Sequence, residues 1–151
     1  MSGQHDRAEV LSLLENVEVI AVATSAGENI RVRMMHHAID EEFNIYLATL
    51  KGDPKTVQMT HQPSISLLAH QPGADINEST EIEITGKALF VRNQKERERA
   101  LEMAARRSPV VKHLVEAGNS GILDCIKVVP NIIKFRVFQE IVQGIPPTVI
   151  E

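Results

Sequence analysis

The strongest constraint on the fold of this 151-residue chain is a series of short β-rich segments separated by turn residues. Helical patterns fall between groups of these segments and do not alternate with them regularly, which argues against a doubly wound parallel sheet. The spacing therefore favours an antiparallel barrel or sandwich within one domain, residues 1–151. The predicted strands cover residues 17–24, 29–38, 43–49, 64–71, 80–91, 121–129 and 132–139.

The turns between these segments predict how the strands connect. Short turns separate the first three strands, so we predict that they form a meander. Gly86 interrupts the long fifth strand and predicts a bend or bulge there. Pro130 and Asn131 predict a turn that makes a hairpin of the last two strands. The apolar tail, residues 141–151, contains one glycine and two prolines, so we expect it to be non-helical and to lie on a partner subunit.

Capping residues and amphipathic stripes predict the helices. In the second helix, Asp53 is a suitable N-cap and Pro54 occupies the first helical position, where proline is well tolerated. Asparagine or serine caps mark the two later helices in the same way. The predicted helices cover residues 6–15, 53–62, 94–106 and 108–118.

Composition excludes several classes of partner. The formal net charge is −4 and there is no basic stripe, so we expect no nucleic-acid partner. No apolar run approaches the length of a membrane span, and residues 1–16 lack the pattern of a signal peptide. The sole cysteine, Cys125, lies in an apolar segment that predicts a buried, unreactive thiol. A single cysteine fits a reducing compartment, so a cytoplasmic location is expected.

The histidines do not indicate a metal site. They form neither an HxxxH nor an HExxH pattern, and the sequence therefore predicts no zinc. No order of serine, histidine and aspartate typical of a hydrolase is present either. The histidines are His5, His36, His37, His61, His70 and His113.

Several short motifs occur in a defined order along the stretch from Arg33 to Lys87 and the residues that border it. They are VRMM at 32–35, YLAT at 46–49, GDPK at 52–55, QPSISL at 62–67 and EIEITGKA at 81–88. Within them, Arg33 and Thr49 stand 16 residues apart, and Thr49 and Lys55 stand 6 apart. In this order and spacing the segment resembles the pyridoxamine 5′-phosphate oxidase-like family of FMN-binding split barrels. The resemblance implies a mainly β fold with flanking helices: an antiparallel, Greek-key-like split β-barrel that works as a homodimer.

The same resemblance implies a set of residues that bind flavin mononucleotide (FMN). In that family, three side chains converge on the phosphate and ribityl chain of FMN. They belong to an arginine in the second strand, a threonine at the end of the third strand and a lysine at the start of the next helix. The two methionines and the histidine that follow the arginine would run along the edge of the flavin. The implied cofactor-binding residues are Arg33, Met34, Met35, His36, Ala48, Thr49, Lys55, Gln58 and Glu81.

Elementary chemistry supports a phosphate site at these positions. Arg33 offers a planar guanidinium fork, Lys55 a compact charge and Thr49 a hydroxyl. The helix that begins at Pro54 is expected to add free backbone N–H groups and the positive end of its dipole. The alternative interpretation is that the strand arginines are solvated charges and the methionines belong to the core.

Three positions depart from the family pattern. Asp53 stands where a serine is common, and its charge at the helix start is expected to weaken binding of a phosphate. Glu81 replaces the glutamine that reaches the flavin across the dimer in the oxidases proper. The tail lacks their arginine- and histidine-bearing motif for pyridoxal phosphate, so pyridoxamine phosphate is not the expected substrate.

These observations predict an FMN-binding protein, in the first place a flavin-dependent oxidoreductase that acts on a small-molecule redox substrate or a reduced nicotinamide. A non-catalytic flavin carrier or a stress-related binding module is the alternative. A haem-binding or haem-degrading split barrel is the second alternative, with His36, His37 or His70 as the candidate iron ligand.

Overall fold

Eight strands form one antiparallel sheet in the computed structural model, which describes residues 5–150. They are β1 (Val19–Ala26), β2 (Asn29–His36), β3 (Ala38–Ile39), β4 (Ile45–Leu50), β5 (Ser64–Gln71), β6 (Thr80–Phe90), β7 (Leu123–Val137) and β8 (Thr148–Ile150). Their order is β2-β1-β5-β6-β7-β4-β3, and β8 pairs with β7. The sheet curls into a half-barrel flanked by helices, which confirms the predicted fold class. The predicted domain, residues 1–151, also includes residues 1–4 and 151, which lie outside the described residues.

All four predicted helices are present, and each begins with the expected cap. The side chains of Asp6, Asp53, Asn93 and Ser108 accept hydrogen bonds from backbone N–H groups two or three residues ahead. A short helix that was not predicted follows β7. Over the described residues the helices are α1 (Arg7–Asn16), α2 (Pro54–His61), α3 (Gln94–Ala105), α4 (Pro109–Glu116) and α5 (Phe138–Val142).

The core is mostly aliphatic and has two parts. The larger part fills the concave side of the sheet, and α1 closes it by burying Val10 and Leu14 completely. The smaller part lies between the opposite face of β4 and β7 and the helices α3 and α4, where Leu101 and Leu123 meet. Because the second part continues to the start of α4, it positions that helix beside the end of β4.

The predicted meander of the first three strands holds through its first hairpin and, beyond it, only at the end of the second predicted strand, where Ala38 of β3 pairs with Tyr46 of β4. β1 and β2 pair along their whole length, but β4 pairs with β7 and β3. Burial explains the difference. Ile45, Tyr46 and Leu47 of β4 are all buried, because one face of β4 meets the main core and the other meets α3. A position beside β2, whose outer face is exposed, would leave one face of β4 in water.

The predicted turn at Pro130 and Asn131 is also wrong, because β7 runs through both residues. Pro130 lies opposite Gly86, and the register between β6 and β7 shifts at that point, so Asn131 is an extra residue in the strand. A β-bulge tolerates the missing N–H of proline. A side chain at Gly86 would collide with the carbonyl oxygen of Val129. The predicted irregularity at Gly86 is therefore confirmed.

The tail follows a different course from the predicted one. Its breakers begin only at Gly144, which has a φ of +77°, so the residues before it are free to form α5. Beyond them β8 pairs with β7 of the same chain and buries Ile150. The tail thus completes its own sheet, and Glu151 lies outside the described residues.

Candidate functional site

A cleft of about 310 Å³ lies between the ends of β2 and β4 and the starts of α2 and α4. Its walls are mostly apolar, and its polar groups are concentrated where β4 meets α2. The apolar lining consists of Met35, Ala48, Leu50, Ala104, Val110, Val111 and Leu123. The polar lining consists of His36, His37, Thr49, Asp53, Lys55 and Ser108.

Lys55 is the centre of the polar end. Its Nζ atom lies 3.0 Å from the Oγ1 atom of Thr49 and 2.9 Å from the Oδ1 atom of Asp53. The turn between β4 and α2 makes this possible, because Gly52 adopts a φ of +80° and reverses the chain. The lysine side chain is only 14% exposed, so its charge lies in a partly desolvated position.

Arg33 forms the second part of the polar region. Its Nη1 atom donates hydrogen bonds to the carbonyl oxygen of Val22 at 3.2 Å and to the Oγ1 atom of Thr24 at 2.8 Å. The Thr24 hydroxyl donates in turn to the Oε1 atom of Gln58, one helical turn beyond Lys55. This network fixes the guanidinium against the inner side of β1.

The charges of Lys55, Asp53 and Arg33 influence one another. The hydrogen bond from the Lys55 side chain lowers the pKa of Asp53, and the charge of Arg33 acts in the same direction. Partial burial and the neighbouring Arg31 lower the pKa of Arg33, although a guanidinium stays protonated in proteins. At neutral pH the region therefore holds two cations, Lys55 and Arg33, and one carboxylate.

Asp53 also determines which backbone N–H groups at the start of α2 remain free to bind a ligand. Pro54 has no N–H group, the N–H of Lys55 donates to Asp53 Oδ1 at 3.0 Å, and the N–H of Thr56 donates to the Asp53 carbonyl at 2.9 Å. The prediction that this helix start presents free backbone N–H groups is therefore wrong. The physical reason is that the cap residue itself satisfies the first available donors.

The structure brings most of the predicted site residues together. Five of them line the cleft, whereas Arg33 and Gln58 are joined through Thr24 outside its lining, and Arg33 acts on the cleft through its charge on Asp53. The five are Met35, His36, Ala48, Thr49 and Lys55.

Met34 and Glu81 lie elsewhere, on the outer face of the sheet. Met34 is 60% exposed because it follows Arg33 directly and alternate residues of a strand face opposite ways. Glu81 lies on β6 and its Oε1 atom is 3.8 Å from Nη1 of Arg136. Within one chain neither residue reaches the cleft.

Sequence reasoning missed Thr24 and the wall that α4 contributes. Thr24 is the one inward hydroxyl of an otherwise apolar β1, and that contrast was an available signal. Ser108, Val110 and Val111 were recognised only as the start of a helix. No local pattern indicates that this helix start packs beside β4.

His37 lies at the inner wall of the cleft and is 1% exposed. Its Nε2 atom is 2.8 Å from the carbonyl oxygen of Leu14, so Nε2 carries the proton and Nδ1 holds a lone pair. Nδ1 has no partner among the described residues. Burial, above all, lowers the pKa of His37 to about 4, so the ring is neutral at physiological pH.

Three further observations concern the thiol of Cys125, metal binding and membrane-spanning helices. Burial raises the pKa of Cys125 to about 11, as expected for an unreactive thiol. Between residues 5 and 150, no three His, Cys, Asp or Glu side chains are grouped so that they could hold a metal ion. Nor does this part contain a helix that is long and apolar enough to cross a membrane.

Larger hollows than the cleft exist among the described residues, including one of about 690 Å³ beside Asp40 and Lys127. Another, of about 540 Å³, lies between α3 and α4, and its rim carries acidic and basic side chains such as the paired Glu102 and Arg106. Those side chains are about 70% exposed, unlike Lys55. We therefore identify the candidate site by its converging, partly buried polar groups rather than by size.

Known structures share this fold. A Listeria innocua protein provisionally named a pyridoxamine 5′-phosphate oxidase has a TM-score of 0.69 and 24% identity, over 88% of this chain and 98% of the other. An FAD-binding protein from Mesorhizobium loti has a TM-score of 0.69 and 13% identity, over 87% and 94%. A haem-binding protein from Mycobacterium smegmatis has a TM-score of 0.74 and 12% identity, over 88% and 55%. No protein-family model and no curated protein matches the sequence. At these identities the likenesses show the fold, that of the pyridoxamine 5′-phosphate oxidase-like split barrels.

Proposed function

We propose that this split barrel binds FMN in the cleft and that the bound flavin serves an oxidoreductase reaction. One observation carries the proposal: Lys55 and Thr49 meet at the polar end of a cleft whose other walls are mostly apolar, and the charge of Arg33 acts on the Asp53 carboxylate there. Two cations and a hydroxyl suit a phosphoryl group, and apolar walls suit a flat ring system.

Each part of FMN has a matching part of the cleft. The phosphate would meet Lys55 and Arg33, and the ring would lie against Met35 and the apolar start of α4. When bound, the flavin supplies the electron-transfer chemistry. The protein's own residues hold the phosphate, orient the ring and limit the access of water. That similar folds include an FAD-binding and a haem-binding protein supports a cofactor-binding role in general.

We further propose that two copies of the chain form the working unit. Ile30, Val32 and Met34 project from the outer face of β2 and are at least 60% exposed. The register continues this face through small residues of β1 to the exposed Leu68 on β5. An apolar face of this kind on an edge strand favours association with a second copy. Pairing through it would also bring Met34 close to the partner.

The single buried cysteine supports a reducing compartment, and we propose a cytoplasmic location. Expression with a fluorescent tag and fractionation of the source cells would test it.

The cofactor proposal is tested by the absorbance of the purified protein. Flavin gives bands in the near-ultraviolet and blue, whereas a Soret band would favour the haem alternative. Titration of the cofactor-free protein with FMN and with riboflavin then measures the contribution of the phosphate. Turnover with a reduced nicotinamide and an electron acceptor separates an enzyme from a flavin carrier. A protein that binds neither flavin would contradict the proposal.

A further inference from the structure

Asp53 places a carboxylate inside the proposed anion site. Its Oδ1 atom accepts hydrogen bonds from both the side chain and the backbone N–H of Lys55, at 2.9 Å and 3.0 Å. The carboxylate thus occupies donors that a ligand phosphate would otherwise use. Its interaction with Arg33 shows that both cations of the site lie within its field.

We infer that Asp53 lowers the preference of this site for the doubly charged phosphate of a monoester and so shifts its selectivity toward a phosphoryl group with one negative charge, as in a phosphodiester. The inference rests on the proposed flavin site and specifies how Asp53 shifts its preference between forms of flavin phosphate. Asp53 acts here as a specificity-determining residue.

The number of available donors supports this selectivity. An ammonium group has three N–H donors, and among the described residues two of those on Lys55 are directed at Thr49 and Asp53. One donor is left for a ligand oxygen. The nearest backbone donors of α2 are taken as well. Lys55 and the start of α2 can therefore solvate one anionic oxygen better than two, and a second anionic oxygen depends on the guanidinium of Arg33.

The charge balance acts in the same direction. Lys55 and Arg33 contribute two positive charges and Asp53 removes one, so these three groups carry a net charge of +1. A monoester phosphate carries about −1.5 to −2 at pH 7, whereas a diester carries one charge. Attraction to the two cations and repulsion from Asp53 both scale with the ligand's charge, so Asp53 removes about half of the advantage that the two cations alone would give a dianion over a monoanion.

Asp53 is held in this position and cannot simply turn away. Rotation of its side chain would break the ion pair with Lys55 and the N-terminal cap of α2 at once. Other titratable groups in the cleft are His36 and His37. We test the inference at pH 8, where FMN is a dianion.

The experiment compares three flavins on the wild type and on Asp53→Asn. Riboflavin has no phosphate, FMN has the dianion, and riboflavin 5′-methylphosphate has a single charge on a group of similar size. Asparagine caps helices as well as aspartate does, so α2 should be preserved, which circular dichroism checks. Asp75→Asn is the matched control, because Asp75 is an exposed cap of a short turn elsewhere and its loss changes the total charge equally.

We expect the wild type to discriminate less between FMN and its methyl ester than Asp53→Asn does. Asp53→Asn should tighten FMN binding about tenfold and methyl ester binding about threefold, since the free-energy gain scales with ligand charge, and should leave riboflavin unchanged. Asp75→Asn should change none of the three affinities.

Equal gains for FMN and its methyl ester, or no gain for either, would overturn the inference while leaving the flavin site in place. If no flavin binds to either protein, the proposed function fails and the inference fails with it.

Discussion

Protonation of His37 should destabilise the folded protein as the pH falls. The ring is buried, and its burial, together with the nearby charge of Arg107, lowers its pKa from 6.5 to about 4. In the unfolded chain the ring takes up a proton near pH 6.5, whereas in the folded state it does so only near pH 4. Protonation therefore stabilises the unfolded state before the folded state, and folding stability is lost as the pH falls from about 6.5 to about 4.

The magnitude follows from the size of this pKa difference. Each pKa unit corresponds to about 1.4 kcal/mol, so the full effect is about 3 kcal/mol. Solvent screens this effect only slightly, because His37 is 1% exposed. Between pH 7 and pH 4.5 we expect about 2.5 kcal/mol of it to be lost, a large part of the stability of a typical domain.

The assay is urea-induced unfolding of the wild type and His37→Gln at several pH values. Glutamine can still donate a hydrogen bond toward the carbonyl of Leu14 but does not titrate. His61→Gln is the control, because His61 is exposed on α2. The wild type should lose about 2.5 kcal/mol more than His37→Gln over this pH range. Parallel pH profiles for the two proteins would refute the reasoning.

Three further predictions concern the proposed function. Lys55→Ala should weaken FMN binding roughly tenfold to over a hundredfold in a fluorescence titration and affect riboflavin much less, whereas Lys87→Ala, at an exposed lysine of β6, should change neither. Light scattering should give twice the chain mass of 16.8 kDa, and Val32→Glu on the outer face of β2 should give a monomer; a wild-type mass near 17 kDa would contradict the dimer. Pyridoxamine 5′-phosphate should not be oxidised at a useful rate with FMN present, and robust formation of the aldehyde would overturn this expectation.

Features that depend on near neighbours in the chain were predictable from the sequence. The caps of α1, α2, α3 and α4 each bridge only two or three residues, so the identity of the cap residue and its successors decides them. The same holds for the irregularity at Gly86 and for the alternation that separates Arg33 from Met34. The order of short strands indicated a barrel, and the spacing of Arg33, Thr49 and Lys55 indicated the polar region of the cleft.

The pairing of distant segments was decided only by the tertiary structure. β4 joins β7, some 80 residues away in sequence, because only there are both of its faces covered. Pro130 remains inside β7 because it meets Gly86 across the sheet. Neither outcome is encoded by residues next to these positions, since each depends on which surfaces are buried together.

In the candidate site, too, some features follow from the local sequence and others from the tertiary structure. The sequence indicated that Asp53 caps α2 and that its charge would oppose a phosphate. Only the folded chain decided that its carboxylate pairs with Lys55 and lies within the field of Arg33. It likewise brought Thr24 to Gln58 and the start of α4 to the cleft. Caps and strand faces follow from bonds within a few residues, whereas the contents of the cleft follow from long-range burial that places separate segments in contact.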